Sequence, residues 1–345
     1  MRESVIPINA SIKDALERID LLSGQTLFVI DPDKKMVGSL SDGDIRRSLI
    51  KGNTLGDAIE LIMHKEFKFI RQNEFSLEEL NLFREKNINF VPVLNARCEI
   101  VDVINIQQLR SFLPLEAIIM AGGKGVRLMP LTENTPKPLL EVGGKPIIEY
   151  NIDRLIAFGI KRIYISVNYL KGQIKDYFGD GSAKGIEIKY IEETEITGTL
   201  GSATYVDDYQ TKDILVMNSD LLTNINFEDV YQTYLEKNGE MIVATVPYEI
   251  TIPYGVVETK ESIVTSLKEK PTYTYYSNAG IYIFNSKYLK EIPQRSFYNA
   301  TDLINKLISE NKNVVNYPIL SYWLDIGKHK DFDKAQKDVS QINFD

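Results

Sequence analysis

The strongest chemical signal in the sequence is a glycine-rich segment with several cations, residues 121–140, which reads AGGKGVRLMPLTENTPKPLL. Its glycines are Gly122, Gly123 and Gly125, and its cations are Lys124, Arg127 and Lys137. A glycine loop that follows an apolar strand can present backbone N–H groups to an anion. Prolines on both sides of Lys137 keep its backbone extended, which suits a fixed phosphate contact. The pattern favours phosphate binding, and a glycine turn with surface cations is the alternative.

Two common phosphate-binding loops do not fit this segment. A Walker loop ends in Gly-Lys followed by Ser or Thr, and no such ending is present. The dinucleotide-binding fingerprint needs a third glycine where this sequence has Leu128. The loop therefore indicates a different class of phosphate-handling protein.

Two aspartates are candidate metal ligands. Asp220 follows the apolar strand pattern ILVM directly, and Asp325 lies in the segment Trp323–Gly327. Loops at the carboxyl ends of parallel strands form the ligand-binding edge of an open sheet, and a carboxylate there can bind Mg²⁺. A single aspartate at a strand end also serves as a turn residue or a helix cap, which is the alternative.

Residues 122–132 and 136–138 resemble the signature of the sugar-1-phosphate nucleotidyltransferases, a GGxGxRLxPLT stretch followed by PKP. The resemblance extends over residues 116–340. It implies that Arg127 and Lys137 contact the triphosphate and the reacting phosphates, with Lys124 as an accessory. It also implies that Asp220 and Asp325 bind Mg²⁺, although Ser219 stands where the family has glycine.

The same resemblance, through less specific motifs, predicts contacts to the base and the sugar. A GTLGS stretch similar to the family's LGTAGA element contains Gly198, Thr199 and Gly201. Elements similar to YGVV, EKP and NAG contain Gly255, Glu269, Lys270 and Asn278. The alternatives are a tight packing contact for the glycines and a solvated surface for the Glu-Lys pair.

The elements that must position these residues form two domains. From residue 114 onwards, apolar strand patterns alternate with amphipathic helix patterns, which predicts an α/β domain with a mostly parallel, Rossmann-like sheet over residues 114–345. Residues 1–113 contain the order helix–strand–turn–strand–helix twice, at a period of about 65 residues. The first of these helices is predicted over residues 11–22, where apolar residues recur at three- and four-residue steps.

The amino-terminal domain resembles a pair of CBS modules, which bind adenine nucleotides. Gly38, Ser41 and Asp44 fit the Gly-x-x-Ser/Thr-x-x-Asp run of that family, while the second repeat has Asp102, Asn105 and Gln108 in those places. The resemblance implies one regulatory adenine-nucleotide site. The alternative is that Ser41 or Asp42 simply caps a helix. We expect no chemical role for Cys98 or His64.

Composition excludes several other functions. The 345 residues carry a formal charge of −8, which disfavours a nucleic-acid surface spread over the protein. One cysteine and two histidines exclude an internal disulfide and leave little room for a multi-histidine metal site. We find no stretch of about 18 apolar residues and no signal-peptide pattern, so we expect a cytoplasmic protein without a membrane partner.

The sequence thus predicts Mg²⁺-dependent nucleotidyl transfer to a sugar 1-phosphate. Within the family, the chain most resembles guanylyltransferases of bacterial nonulosonic (legionaminic) acid pathways, which implies GTP and glucosamine 1-phosphate. Uridylyl or thymidylyl transfer to glucose 1-phosphate and guanylyl transfer to mannose 1-phosphate are alternatives. A CBS nucleotide sensor with an inactive transferase domain and a structural assembly subunit are different classes. We expect a homo-oligomer, because CBS modules usually pair.

Overall fold

The computed structural model describes residues 4–22, 26–195, 197–342 and 344. The chain divides into two units, Met1–Pro114 and Leu115–Asp345. Each unit has its own apolar core.

The first unit contains two three-stranded sheets with the same topology. Its strands are β1 (Val5–Pro7), β2 (Leu27–Ile30), β3 (Met36–Leu40), β4 (Ile70–Arg71), β5 (Phe90–Leu94) and β6 (Ile100–Asn105), and its helices are α1 (Ile12–Leu21), α2 (Asp42–Ile50) and α3 (Leu77–Glu85). In each sheet the first strand pairs in parallel with the second, and the second pairs antiparallel with the third. The predicted helix over residues 11–22 is confirmed as α1, which is capped by Ser11.

The two halves of this unit contact each other through equivalent turns. Lys35 and Glu99, which occupy equivalent turn positions in the two halves, form an antiparallel bridge. Beside it, the backbone N–H of Met36 donates to the carbonyl of Cys98 at 2.9 Å. An apolar cluster that includes Met36 and Leu94 lies between the halves. The internal repeat predicted from the sequence is therefore present.

The second half differs from the prediction where it ends. A helix is expected after the last strand, but the structure has only a single 3₁₀ turn, Ile106–Gln108. The side chain of Asn105 accepts a hydrogen bond from the backbone N–H of Gln107 and starts this turn. Leu109 and Phe112 then pack against the core of the second half, so the chain leaves the helical path within a few residues.

Among the described residues, the second unit has thirteen strands, and seven of them form one large sheet. Its strands are β7 (Leu115–Met120), β8 (Glu141–Val142), β9 (Lys145–Pro146), β10 (Arg162–Val167), β11 (Glu187–Glu192), β12 (Asp213–Asn218), β13 (Leu221–Thr223), β14 (Met241–Thr251), β15 (Val256–Lys260), β16 (Ile263–Lys268), β17 (Thr272–Asn285), β18 (Val314–Pro318) and β19 (Trp323–Asp325). Its helices are α4 (Ile147–Ala157), α5 (Lys171–Phe178), α6 (Gly198–Gly201), α7 (Phe227–Glu236), α8 (Ala300–Ser309) and α9 (His329–Asp338).

The strand order of the large sheet is β11-β10-β7-β12-β17-β14-β18. Only β17 runs against the others in this sheet, because it pairs antiparallel with both of its neighbours. Residues on both faces of the central strands are buried, for example Ile118 and Ile119. Helices must therefore cover both faces, as the near-continuous apolar strand patterns require. The predicted α/β fold with a mostly parallel sheet is confirmed.

Two features at the carboxyl edge of this sheet matter for function. The last residues of β7 and β12 pair in register, Met120 with Asn218, so the loops that follow these strands start side by side. The arm, which we define as residues 246–277, consists of the outer ends of β14 and β17 with the β15–β16 hairpin.

Candidate active site

The glycine-rich loop starts where β7 ends. Gly125 has a φ of +64°, and a Cβ at this position would lie 2.9 Å from the side chain of Thr132 and 3.0 Å from that of Lys137. The hydroxyl of Thr132 donates to the carbonyl of Gly125 at 2.9 Å, which fixes the bend. In the described part of the chain, the backbone N–H groups of residues 123–125 donate to no carbonyl. These groups can therefore bind an anion.

A cavity of about 290 Å³ lies beside this loop. The predicted site residues that line it are Gly123, Gly125, Arg127, Lys137 and Asp220. The structure thus brings the glycine-rich loop, two of its three cations and one predicted metal ligand to a single place.

Lys137 and Asp220 form a buried ion pair in this cavity. Lys137 is only 8% exposed, and its Nζ donates to Oδ2 of Asp220. The extended backbone predicted for Lys137 is wrong, because the lysine begins a 3₁₀ turn, Lys137–Leu139, that follows Pro136. Each charge stabilises the other in a place with little solvent, and removing either one would leave its partner uncompensated.

Asp325 reaches the same place from the other end of the unit. Strand β19 pairs antiparallel with β13, with Asp325 opposite Leu221, and the N–H of Ile326 donates to the carbonyl of Asp220 at 3.0 Å. Burial raises the pKa of Asp325, and the nearby Asp220 carboxylate raises it further, while Lys137 lowers it.

The two carboxylates fit a divalent cation. Among the described residues, Oδ1 of Asp325 is one of the few buried side-chain oxygens without a hydrogen-bond partner. Mg²⁺ binds through one or two carboxylates and completes its shell with water and substrate phosphate, so it does not need a third protein ligand. In the described part of the chain, no group of three histidine, cysteine, aspartate or glutamate side chains that could hold a metal ion is present.

The predicted loop residues Gly122 and Lys124 do not line this cavity. Lys124 and Arg127 are exposed, and a Cβ on Gly327 would lie 3.5 Å from the Arg127 guanidinium. Gly122 faces the side chain of Glu193, because a Cβ at Gly122 would lie 2.9 Å from the Glu193 carboxylate. Both glycines therefore let charged side chains approach the backbone closely.

Sequence reasoning missed the side chains that hold the far end of the loop. Tyr169, Gln173 and His329 make hydrogen bonds of 2.8 to 2.9 Å to carbonyls of the segment 129–134. They come from the region after β10, from α5 and from the start of α9. A lone tyrosine, glutamine or histidine has no spacing signal, so nothing in the sequence marks them.

The predicted base-binding residues Gly198, Thr199 and Gly201 pack against the segment 296–300. A Cβ on Gly201 would lie 2.2 Å from a carbonyl oxygen in this segment, and one on Gly198 would lie 2.7 Å from another. Thr199 accepts a backbone N–H from the same segment at 2.7 Å. The structure gives all three a packing role, and none of them lines the cavity beside the glycine loop.

The predicted sugar-binding residues lie on or next to the arm. A Cβ on Gly255 would lie 3.0 Å from the Glu269 carboxylate, so these two elements are in contact. Glu269 and Lys270 are exposed, and Asn278 accepts the N–H of Gly280 at 3.0 Å. None of the predicted four lines the cavity beside the glycine loop.

The first unit has a cavity of its own, of about 440 Å³. Ser41 and Asp44 line it together with His64 and Lys68. Gly38 does not line it. A Cβ at Gly38 would lie 2.6 Å from the sulfur of Met63, so this glycine allows close packing there. The structure thus gives Gly38 a packing role and places the other two predicted residues at a cavity.

Ser41 and Asp44 also cap α2 reciprocally. The Ser41 hydroxyl accepts the N–H of Asp44 at 3.3 Å, and the Asp44 carboxylate accepts the N–H of Ser41 at 2.9 Å. Burial raises the pKa of Asp44, but hydrogen bonds from Ser41 and Arg47 lower it by more, so that the pKa lies below its usual value. The helix-cap alternative is therefore present in the structure, alongside the cavity.

The protein-family model described as nucleotidyl transferase matches residues 116–342. The chain belongs to this family. A CBS domain model matches residues 1–51, and the second half of the first unit has the same strand topology as this matched half.

Curated relatives of this nucleotidyl transferase carry several different names. The Bifunctional protein GlmU of Methanocaldococcus jannaschii is 34% identical over 67% of this chain and 56% of its own length. Mannose-1-phosphate guanyltransferase of Gibberella zeae is 31% identical over 63% and 62%. The UTP–glucose-1-phosphate uridylyltransferase AglF of Haloferax volcanii is 30% identical over 66% and 97%. The chain thus covers less than two thirds of the first two relatives.

A solved structure supports the fold of the second unit. A putative glucose-1-phosphate thymidylyltransferase from Bacillus anthracis aligns with a TM-score of 0.55 at 23% identity, over 67% of this chain and 97% of that one. Among the helices that the structure describes, none is both long enough and apolar enough to span a bilayer.

Proposed function

We propose that this chain transfers a nucleoside monophosphate from a nucleoside triphosphate to a sugar 1-phosphate. The observation that carries the proposal is the meeting of the glycine loop, Lys137 and Asp220 at one cavity, with Asp325 beside them. A phosphate oxygen of the sugar phosphate attacks the α-phosphorus, the bond to the β-phosphate oxygen breaks, and pyrophosphate leaves. Such a reaction needs positioning and charge neutralisation more than a protein nucleophile.

Each group at the cavity has a role in this scheme. The free N–H groups of residues 123–125, with Lys124 and Arg127, bind the phosphates that leave. Lys137 balances the negative charge that develops at the reacting phosphates. Bound Mg²⁺ would supply further charge neutralisation there, and Asp220 and Asp325 would hold it.

We propose GTP and glucosamine 1-phosphate as substrates, for nonulosonic (legionaminic) acid synthesis. The support is the sequence resemblance together with guanylyltransferases among the curated relatives. Glucose 1-phosphate with UTP or dTTP, and mannose 1-phosphate with GTP, remain the alternatives, and relatives with such names exist. Because these substrates are cytoplasmic metabolites, we propose that the protein acts in the cytoplasm.

We further propose that the first unit binds an adenine nucleotide as a regulator. The support is a cavity of about 440 Å³, lined by Ser41 and Asp44 from the half matched by the CBS model together with residues 87–90 of the second half. A homo-oligomer formed through this unit is part of the same proposal.

A matrix of nucleoside triphosphates against sugar 1-phosphates, with Mg²⁺ and pyrophosphate detection, tests the activity. We expect turnover with GTP and glucosamine 1-phosphate. Turnover only with UTP or dTTP would keep the reaction class and replace the substrates. If no pair releases pyrophosphate, with or without AMP or ATP, the transfer proposal fails and a sensor with an inactive transferase unit is favoured.

A variant pair links the activity to the cavity. Asp220→Asn removes one charge of the carboxylate pair, and we expect loss of turnover with the fold retained. Asp176→Asn is the control, because Asp176 is an exposed carboxylate on α5 of the same unit. Equal activity of the two variants would contradict the assigned site.

A further inference from the structure

A buried amide on α4 contacts the turn that carries Asp220. Asn151 lies in the middle of this helix and is 2% exposed. Its Nδ2 donates to the carbonyl of Leu221 at 2.9 Å and lies 3.4 Å from the carbonyl of Ser219. These are the residues on either side of Asp220, so one amide group holds the backbone before and after the carboxylate.

This contact is not needed to bury the helix. The neighbouring buried positions of α4 include Ile148, Ile152 and Leu155, which supply the apolar face. A buried polar side chain is costly unless its hydrogen bonds are made. An amide NH₂ has two N–H bonds, and here two carbonyls lie within reach of them. Asn151 is therefore placed to fix a backbone turn.

The same contact reaches the second carboxylate through the strand pairing. Leu221, which accepts the shorter hydrogen bond, is opposite Asp325 in the pairing of β13 with β19. The carbonyl of Asp220 itself accepts the N–H of Ile326 at 3.0 Å. The position of β13 thus sets where both carboxylates lie relative to each other.

We propose that Asn151 is a positioning residue that sets the spacing of the Asp220 and Asp325 carboxylates for a divalent cation. The inference rests on the proposed function of this site and deepens it. Asn151 does not itself line the cavity, and its amide bonds backbone carbonyls rather than a carboxylate, so it acts through the backbone of residues 219–221. Side chains that orient metal ligands in this way commonly change metal affinity by about 10- to 100-fold when they are replaced.

A purely structural role must be distinguished from this one. Tyr234→Phe is the matched control, because Tyr234 is 4% exposed and donates to Asp213 at 3.1 Å, at the opposite end of β12. Asn151→Leu removes the amide at similar volume. Asn151→Ser, which keeps one donor and needs less room, carries the test if the leucine variant does not fold.

The measurements are Mn²⁺ binding by electron paramagnetic resonance and the Mg²⁺ concentration that gives half-maximal turnover. We expect Asn151→Leu to raise both midpoints about 10-fold or more, with a fall in kcat and little change in KM for the sugar phosphate. Tyr234→Phe should leave both midpoints unchanged. The full-length protein is used throughout.

The outcomes separate this inference from the proposed function. If the Asn151 variants bind Mn²⁺ like the wild type, or if the wild type binds none, the positioning role is wrong. If the wild type has no turnover but its Mn²⁺ binding weakens in Asn151→Leu, the proposed function fails and the positioning role stands. If Tyr234→Phe weakens Mn²⁺ binding to a similar extent, the effect of Asn151→Leu reflects general stability and the inference is wrong.

Discussion

Lys137 carries its charge where water compensates it poorly, because the residue is 8% exposed and bonded to Asp220. Its charge therefore serves two partners in turn. It neutralises the Asp220 carboxylate in the structure, and in the proposed reaction it would contact phosphate once a divalent cation binds that carboxylate. The same pair at the surface would be weaker, since solvent screens exposed charges.

We expect Lys137→Ala to lower turnover by about 10²- to 10³-fold, the usual cost of removing one preorganised charged donor from a reacting group. Steady-state rates of pyrophosphate release measure this effect. Lys237→Ala, at an exposed lysine after α7, is the control. Equal loss in both variants would mean that the cavity has no special need for this cation.

The Ser41–Asp44 cap gives a prediction that depends on pH. Ser41→Ala should lower the opening free energy of α2 by about 1 kcal/mol near pH 7. Burial raises the pKa of Asp44, but hydrogen bonds from Ser41 and Arg47 hold it below the usual 3.8. A lowered folded pKa stabilises the fold above 3.8, and this contribution disappears as pH falls through the folded value.

Hydrogen exchange of the α2 amides at several pH values measures this prediction. The gap between wild type and Ser41→Ala should be full near pH 7 and should shrink below about pH 3.8. A gap that is independent of pH would show that Asp44 stays uninvolved in the cap.

At this scale the sequence predicts the charged residues and misses the polar supports. Lys137 and Asp220 stand in motifs whose residue types alone indicate phosphate and metal chemistry. Asn151 and Tyr169 are single polar residues inside ordinary patterns. Their roles come from which carbonyl they reach, and only the folded backbone determines that.

The short helix α6 illustrates how an element can require glycine for packing. A Cβ on Gly201 would lie 2.2 Å from the carbonyl oxygen of Ser296, a backbone atom that cannot move aside cheaply. We expect Gly201→Ala to destabilise the chain by about 1 to 3 kcal/mol through overpacking. Calorimetric melting of the full chain measures the effect.

Gly172→Ala is the matched control for this prediction. Gly172 lies in α5, and a Cβ there would meet nothing within 4 Å. This variant should be neutral or more stable, by up to about 1 kcal/mol, because alanine favours a helix. If Gly201→Ala also melts like the wild type, the close packing of α6 on residues 296–300 is wrong.

Elements with strong periodicity are predictable here, and their lengths and distant pairings are not. The alternating pattern predicts α1 and the buried strands of the large sheet. It does not predict how the second half ends after β6, where Leu109 and Phe112 pack against the core and only a 3₁₀ turn forms. Nor does it predict that β13 pairs with β19, because that contact joins residues about a hundred positions apart.

At the scale of the whole molecule, the repeated topology of the first unit raises the question of how many nucleotides it binds. The first half has Ser41 and Asp44 at its cavity, whereas the second repeat has Asn105 and Gln108 at the corresponding motif positions. Since those amides lack the carboxylate of the motif, we expect one adenine nucleotide per chain. Isothermal titration of AMP and ATP into the full-length protein measures this number.

Asp44→Asn should weaken that binding, while Cys98→Ser, at an exposed turn of the other half, should leave it unchanged. Two equivalent nucleotides per chain would contradict the assignment to the first half. Absence of binding would reduce Ser41 and Asp44 to their role as a helix cap.

The division into a repeated first unit and a larger second unit follows from patterns that run over tens of residues, so the sequence can indicate it. The contact between the two halves cannot be predicted from the sequence, because Lys35 and Glu99 form an isolated backbone bridge. No local pattern marks either residue. A repeat is visible in the order of the residues, whereas a contact between distant residues depends on the three-dimensional path of the chain.

The pairing of β13 with β19 has a consequence for the nascent chain. Every strand of the large sheet precedes Trp323 in the sequence, and β18, the last of them, ends at Pro318. A ribosome therefore releases all the strands of this sheet before it releases Asp325, which completes the carboxylate pair. During synthesis the sheet can form before Asp325 is available, so under the proposed function a half-made chain would fold its core while the proposed cation site still lacks one ligand.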